Sequence, residues 1–183
     1  MKRITIIFLI TFLTSVSVFS KESVWVSVTG NYLMSSDSGF KDIYGNGHIY
    51  PEIKAGIKIF KSFYFWAGYG FLSASGQTLE YMEEEASTTQ QFLSAGVGYK
   101  IPGKLGIKVE TGLFNVHWKE EAMDEENSGS AIGFRFDSSI LFGIGKSFFF
   151  EITAGYLHAS DSVDDISIKL GGFKGGIGIG IKF

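Results

Sequence analysis

Gly172-Phe173-Lys174-Gly175-Gly176-Ile177-Gly178-Ile179-Gly180-Ile181-Lys182-Phe183 is the stretch that decides the fold. Phe173, Ile177, Ile179, Ile181 and Phe183 alternate with Lys174, Gly176, Gly178, Gly180 and Lys182. A period of two, greasy on one face and charged or empty on the other, describes a strand between lipid and a polar interior. In a soluble sheet such an Ile/Phe edge would template aggregation. A closed barrel has no edge, and in a bilayer every backbone N–H and C=O must be paired within the protein.

Working outward from this strand, alternation predicts eight strands, at 24–34, 49–60, 63–75, 89–101, 105–117, 131–144, 148–158 and 168–183. Each reaches the ~9–11 residues that a tilted membrane strand needs. Connectors 35–48, 76–88, 118–130 and 159–167 are long, whereas Lys61-Ser62, Pro102-Gly103-Lys104 and Gly145-Lys146-Ser147 are tight. Long loops on one side and short turns on the other are the asymmetry of outer-membrane barrels. The expected fold is an all-β, eight-stranded, antiparallel up-and-down transmembrane barrel, with both termini in the periplasm.

At the amino terminus, Lys2 and Arg3 precede an apolar run from Ile4 to Leu13, and small residues lead to Val18-Phe19-Ser20. This is the pattern of a cleavable export signal over 1–20, with the barrel domain occupying 21–183. The apolar run falls short of the roughly 20 residues of a spanning helix. There is no cysteine for a disulfide framework or a lipid anchor. The long connectors hold 14 of the 19 acids, offset there only by Lys41 and Lys119, so an acidic outer rim is expected. Each short turn carries a lysine instead: Lys61, Lys104 or Lys146. No basic patch suits nucleic acid, and no glycine loop opens a helix for phosphate.

The inward positions carry Glu52, Lys54, Lys58, Lys100, Lys108, Glu110, Arg135, Asp137, Glu151, Lys174 and Lys182. An eight-stranded barrel encloses side chains or one small ligand, not an open channel. Charges buried there persist only when paired or hydrated. The expectation is an ion-pair plug in which Arg135 has Asp137 beside it on its own strand and Glu110 and Glu151 on the adjacent strands, with a direct Arg135–Glu151 pair. Inward glycines, Gly56, Gly68, Gly70, Gly96, Gly98 and Gly112 among them, either make room for large neighbours or leave a small cavity.

The aromatic-glycine strand Phe63-Tyr64-Phe65-Trp66-Ala67-Gly68-Tyr69-Gly70, its counterpart Ser94-Ala95-Gly96-Val97-Gly98-Tyr99 and the terminal Phe183 carry a family resemblance. The chain resembles the small outer-membrane β-barrels: the OmpX and opacity-like group of the porin family, with the OmpA membrane domain as a relative. The resemblance implies residence in a bacterial outer membrane among lipid and lipopolysaccharide. It also implies a terminal strand whose Phe183 is the signal read by the barrel-assembly machinery. Members bind host surfaces, modify lipid or form minor channels, so the fold transfers no activity.

His158-Ala159-Ser160-Asp161 is similar to the lipid A deacylase pattern, in which a histidine base activates a serine and an acid orients the histidine. His158 and Ser160 would be base and nucleophile. The chain departs from the pattern, with Asp161 where that family has Asn and no Glu in its final strand, leaving Asp164 or Asp165 as substitutes. Glu83-Glu84-Glu85 and Glu120-Glu121 with Asp124-Glu125-Glu126 offer oxygen ligands, but no Asp-x-Asp-x-Asp-Gly loop accompanies them. His48 and His117 stand at loop ends without further ligands. No catalytic residues, metal or cofactor are therefore assigned. The reading is a monomeric, non-enzymatic outer-membrane barrel with acidic loops open to an extracellular partner. Its alternatives are a lipid A hydrolase and a narrow conduit or binder for small ligands.

Overall fold

In the computed structural model the described residues are 24–77, 85–101, 106–122, 125–163 and 166–183. The expected export signal, the Pro102-Gly103-Lys104 turn, Glu80, Glu83, Glu84, Asp124, Asp164 and Asp165 lie outside them. Eight strands follow one another around a closed ring: β1 (Val24–Ser35), β2 (Gly47–Phe60), β3 (Phe63–Gln77), β4 (Glu85–Ile101), β5 (Gly106–Ala122), β6 (Glu125–Ile144), β7 (Phe148–Val163) and β8 (Ile166–Lys182). Every neighbouring pair is antiparallel, and β8 closes onto β1 with Val28 opposite Ile179. One helix, α1 (Ser38–Tyr44), interrupts the β1–β2 connection.

The lipid-type alternation is realised in the burial pattern. Ile49, Ile53, Phe63, Phe65, Leu93, Leu113, Phe134, Ile152, Ile177 and Ile179 are exposed on the outer face, while their sequence neighbours point inward. A water-soluble protein could not leave so continuous an apolar belt uncovered. In a bilayer the belt is the buried surface.

Several strands run beyond the expected limits. β4 begins at Glu85, β5 continues to Ala122, β6 starts at Glu125 and β7 reaches Val163. The connectors expected at 118–130 and 159–167 are therefore mostly strand. The apolar outer stripe stops near Leu93, Leu113 and Ile132, but the inner stripe continues through Ala86, Val116, Trp118, Ala131 and Ala159, all buried. Backbone pairing thus extends beyond the lipid belt as hairpins whose outward residues are polar. The acids Glu85, Glu120, Glu121, Glu125, Glu126 and Asp161 ride on these strand extensions instead of loops.

Helix α1 was not predicted, though its signals are local. Asp37 caps it by accepting from Phe40 N at 2.9 Å, and Gly45 ends it at φ +91°, where L side chains are strained. A second capping atom, Asp37 Oδ2, accepts from Lys169 N at 2.9 Å and ties the helix to β8.

The interior glycines answer the question of space. A side chain at Gly56 would strike the Trp25 indole, at Gly70 the Tyr50 ring, at Gly98 the Tyr64 ring, and at Gly180 the Phe149 ring. Each glycine is the seat on which a neighbouring strand lays an aromatic ring, a pairing that rescues an otherwise bare position.

Candidate functional site

From the short-turn end to the long-hairpin end, the lumen has three layers. The first is ionic and wholly buried: Glu52, Lys54, Lys108, Glu110, Arg135, Asp137, Glu151 and Lys174 are each at most 3% exposed. Arg135 on β6 spans the ring to Glu52 on β2, the strand opposite. Its Nη1 donates to Glu52 Oε1 at 2.5 Å and its Nη2 to Glu52 Oε2 at 3.2 Å, a bidentate fork. It also donates to Asp137 Oδ2 and to Ser94 Oγ, and lies 4.9 Å from the Trp66 ring. Lys174 Nζ sits 2.7 Å from Glu52 and 3.1 Å from Asp137, which closes a ring of two cations and two anions.

Below it, Lys54 meets Glu110 at 2.7 Å, and Lys108 meets Glu151 at 2.8 Å and Glu110 at 3.4 Å. Tyr64 Oη donates to Glu110 Oε1, and the Trp25 ring lies 4.3 Å from Lys108 Nζ. Four cations face four anions, so the layer is neutral. Toward the short-turn mouth the inward lysines are more open: Lys58 and Lys100 are exposed and Lys182 is half-buried, with Lys182 Nζ 5.4 Å from the Phe149 ring. The expected Arg135–Glu151 pair does not form. Register sets Glu151 opposite Leu141, far down β6 from Arg135, and Glu151 bonds to Lys108 instead.

The second layer is apolar. Tyr50, Phe92, Phe114, Leu72, Leu157 and Leu33 are all at most 2% exposed. Tyr50 and Phe92 meet edge to face at 5.2 Å, and Phe92 packs on Phe114 at 5.7 Å.

Above it opens a cavity of about 590 Å³ between α1 and the raised strands. Phe40, Ile43, Tyr44, Trp118, Ile168 and Leu170 supply its apolar lining, with Thr88, Gln90, Glu120 and Asn127 among its polar groups. Tyr44 Oη donates to Glu120 Oε1 at 2.7 Å, and Trp118 Nε1 to Asp161 Oδ2 at 2.9 Å. Burial, reinforced by the Glu120 carboxylate, holds the Tyr44 phenol well above its ordinary pKa, so it stays a donor. On the outer side of the same hairpin, Lys119 bridges Glu121 and Glu126, whose hydrogen bonds raise its pKa.

His158 and Ser160 point to the outer face of β7, whereas Asp161 points into the lumen, where Trp118 and the Ser162 amide occupy its oxygens. His158 lies between aromatic rings, 5.4 Å from Phe134 and stacked at 6.3 Å on Tyr156. His158 and Ser160 thus share one face and Asp161 stands on the other, because side chains alternate along a strand. His48 Nε2 lies 3.3 Å from Gly45 O, and His117 is exposed on the outer face of β5. Among the described residues no three acids or histidines converge to hold a metal ion.

No family model matches the chain, and no curated protein does. Solved structures do. Neisserial surface protein A aligns with TM-score 0.66 at 12% identity, over 90% of this chain and 100% of that one. The outer membrane protein OprG of Pseudomonas aeruginosa gives 0.67 at 11%, over 89% and 97%. Ail, the attachment invasion locus protein of Yersinia pestis, gives 0.56 at 12%, over 90% and 100%, and is also known in complex with the heparin analogue sucrose octasulfate. The fold is that of the small outer-membrane β-barrels. The uncovered apolar belt fits this fold to a lipid bilayer. At these identities the likeness extends to the fold and no further.

Proposed function

We propose that this outer-membrane barrel is a sealed, non-enzymatic anchor that acts at the cell surface through its raised hairpins, and not a pore. The observation that carries this reading is two seals stacked in one lumen. The ionic layer ties opposite walls together, and the apolar layer above it is nearly inaccessible to water. A hydrated ion would have to break the charge network and then cross a plane of aromatic rings, each step opposed by several kcal/mol of desolvation. His158 Nδ1 has no hydrogen-bond partner among the described residues, so no described acid orients it as the hydrolase alternative requires, which favours the non-enzymatic reading. A complete ring needs no second copy to satisfy its edges, which supports a monomer, and Phe183 fits an assembly signal at the end of β8.

The raised wall is acidic, with Glu85, Glu121, Glu125 and Glu126 lining one open cleft. Such a rim repels the polyanion class of the sulfated Ail ligand and favours cationic partners. Purified protein in planar bilayers should give no steady single-channel conductance. Reproducible ion-selective steps from the wild-type chain would replace the anchor reading with the conduit.

A further inference from the structure

We propose that the cavity beneath α1 is a binding site for a small organic ammonium ion with an apolar body. This goes beyond the anchor reading and does not depend on the lumen below being sealed. Three observations meet in the cavity. Its volume, about 590 Å³, lies within the ~300–1,000 Å³ of small-molecule sites. Its walls combine the rings of Phe40, Tyr44 and Trp118 with the aliphatic side chains of Ile43, Ile168 and Leu170. Aromatic faces attract organic cations, and an enclosed setting strengthens the attraction.

The second observation is charge. Deeper in the barrel Glu52, Glu110, Asp137 and Glu151 are each paired with a cationic side chain. Around the cavity the carboxylates meet neutral donors only. Asp37 accepts from the Phe40 and Lys169 amides, Glu120 from the Tyr44 hydroxyl, and Asp161 from the Trp118 indole and the Ser162 amide. No described ion pair involves any of the three. Of these acids Asp37 and Glu120 line the space itself, against the one lysine Lys169, and Asp161 is bound to the Trp118 indole, so the aromatic-lined space keeps a net negative charge that suits a cation. A metal ion is the poorer occupant, because the acids do not converge as metal ligands do.

The third is Gln90, only 5% exposed and lining the cavity, whose amide makes no hydrogen bond with any described group. Its amide therefore has donor and acceptor capacity to offer a group that enters the cavity. A ligand with one polar substituent beside its cationic head would engage it.

The test is isothermal titration of the full barrel in dodecyl maltoside micelles, which contain no amine, with empty micelles as blank. The probes are benzyltrimethylammonium, benzyl alcohol and benzoate. The proposal expects saturable one-to-one binding of benzyltrimethylammonium, about tenfold or more tighter than benzyl alcohol, and none of benzoate. Glu120→Gln keeps an acceptor for Tyr44 and removes the charge, so it should weaken the cation about fivefold or more and leave benzyl alcohol unchanged. Phe40→Leu, which keeps apolar bulk and removes a ring, should act in the same direction. Each variant is read only from protein that retains the folded gel mobility of the wild type. Equal affinity for all three probes, no saturable binding of the cation, or indifference of correctly folded Glu120→Gln and Phe40→Leu would each overturn the proposal.

Discussion

Arg135 reaches Glu52 across the lumen because β6 and β2 stand on opposite walls of the ring and its long side chain spans between them. Glu151 is out of reach. It stands opposite Leu141, six residues along β6, or roughly 20 Å at the rise of a strand. Which positions are inward and charged was legible from parity alone. Which charge meets which was not, because in a narrow barrel partners sit on opposite walls, and sequence exposes neither shear nor stagger. Truncating one member of a buried pair leaves its partner uncompensated, so Arg135→Ala should cost roughly 3–5 kcal/mol in urea unfolding from lipid vesicles. Arg135→Lys keeps the charge without the fork and should fall between the two. Adding Glu52→Ala should cost less than the sum by ~0.5–3 kcal/mol, whereas Glu151→Ala, paired elsewhere, should add independently. Additivity with Glu52 would refute the ring of charges.

Strand limits are legible in the sequence where lipid touches the strands and obscured above the lipid belt. β3, and β8 from Phe173 onward, alternate because one face meets hydrocarbon, a signal of large amplitude. On the upper parts of β4, β5 and β6 the outward residues become Ser, Gln, Asn and Lys, and the stripe vanishes while the hydrogen-bonded ladder persists. The cavity was hidden for the same reason. Trp118 and Glu120 look like loop residues until the ladder is seen to carry them, and Tyr44 arrives on a seven-residue helix too short for any periodicity. The boundary between the two regimes has a measurable consequence. Ile179→Arg, on the exposed outer face of β8, should cost up to ~2–4 kcal/mol in the same unfolding titration. Ser75→Arg, equally outward-facing on the raised part of β3, should be nearly neutral. Equal costs would show that the lipid belt has been drawn at the wrong height.

The whole molecule is a ring with no free edge, and that closure governs how it fails. A sheet with edges can fray strand by strand, each step losing one ladder at most. Here removing any strand breaks two ladders at once, and β2 and β6 are further clamped across the lumen by Arg135 and Glu52. Partial opening would also expose unpaired backbone to hydrocarbon, which costs several kcal/mol per group. The accessible states are therefore the intact barrel and the unfolded chain, separated by a barrier that detergent alone does not cross. On SDS gels the unboiled protein should run as a compact band distinct from the boiled one. The temperature at which that band disappears should drop for Arg135→Ala, which removes the transverse clamp, and stay unchanged for Ser75→Arg. Identical mobility of boiled and unboiled samples from refolded protein would contradict a closed ring. An unchanged transition temperature in Arg135→Ala would instead locate the resistance in the backbone ladders alone.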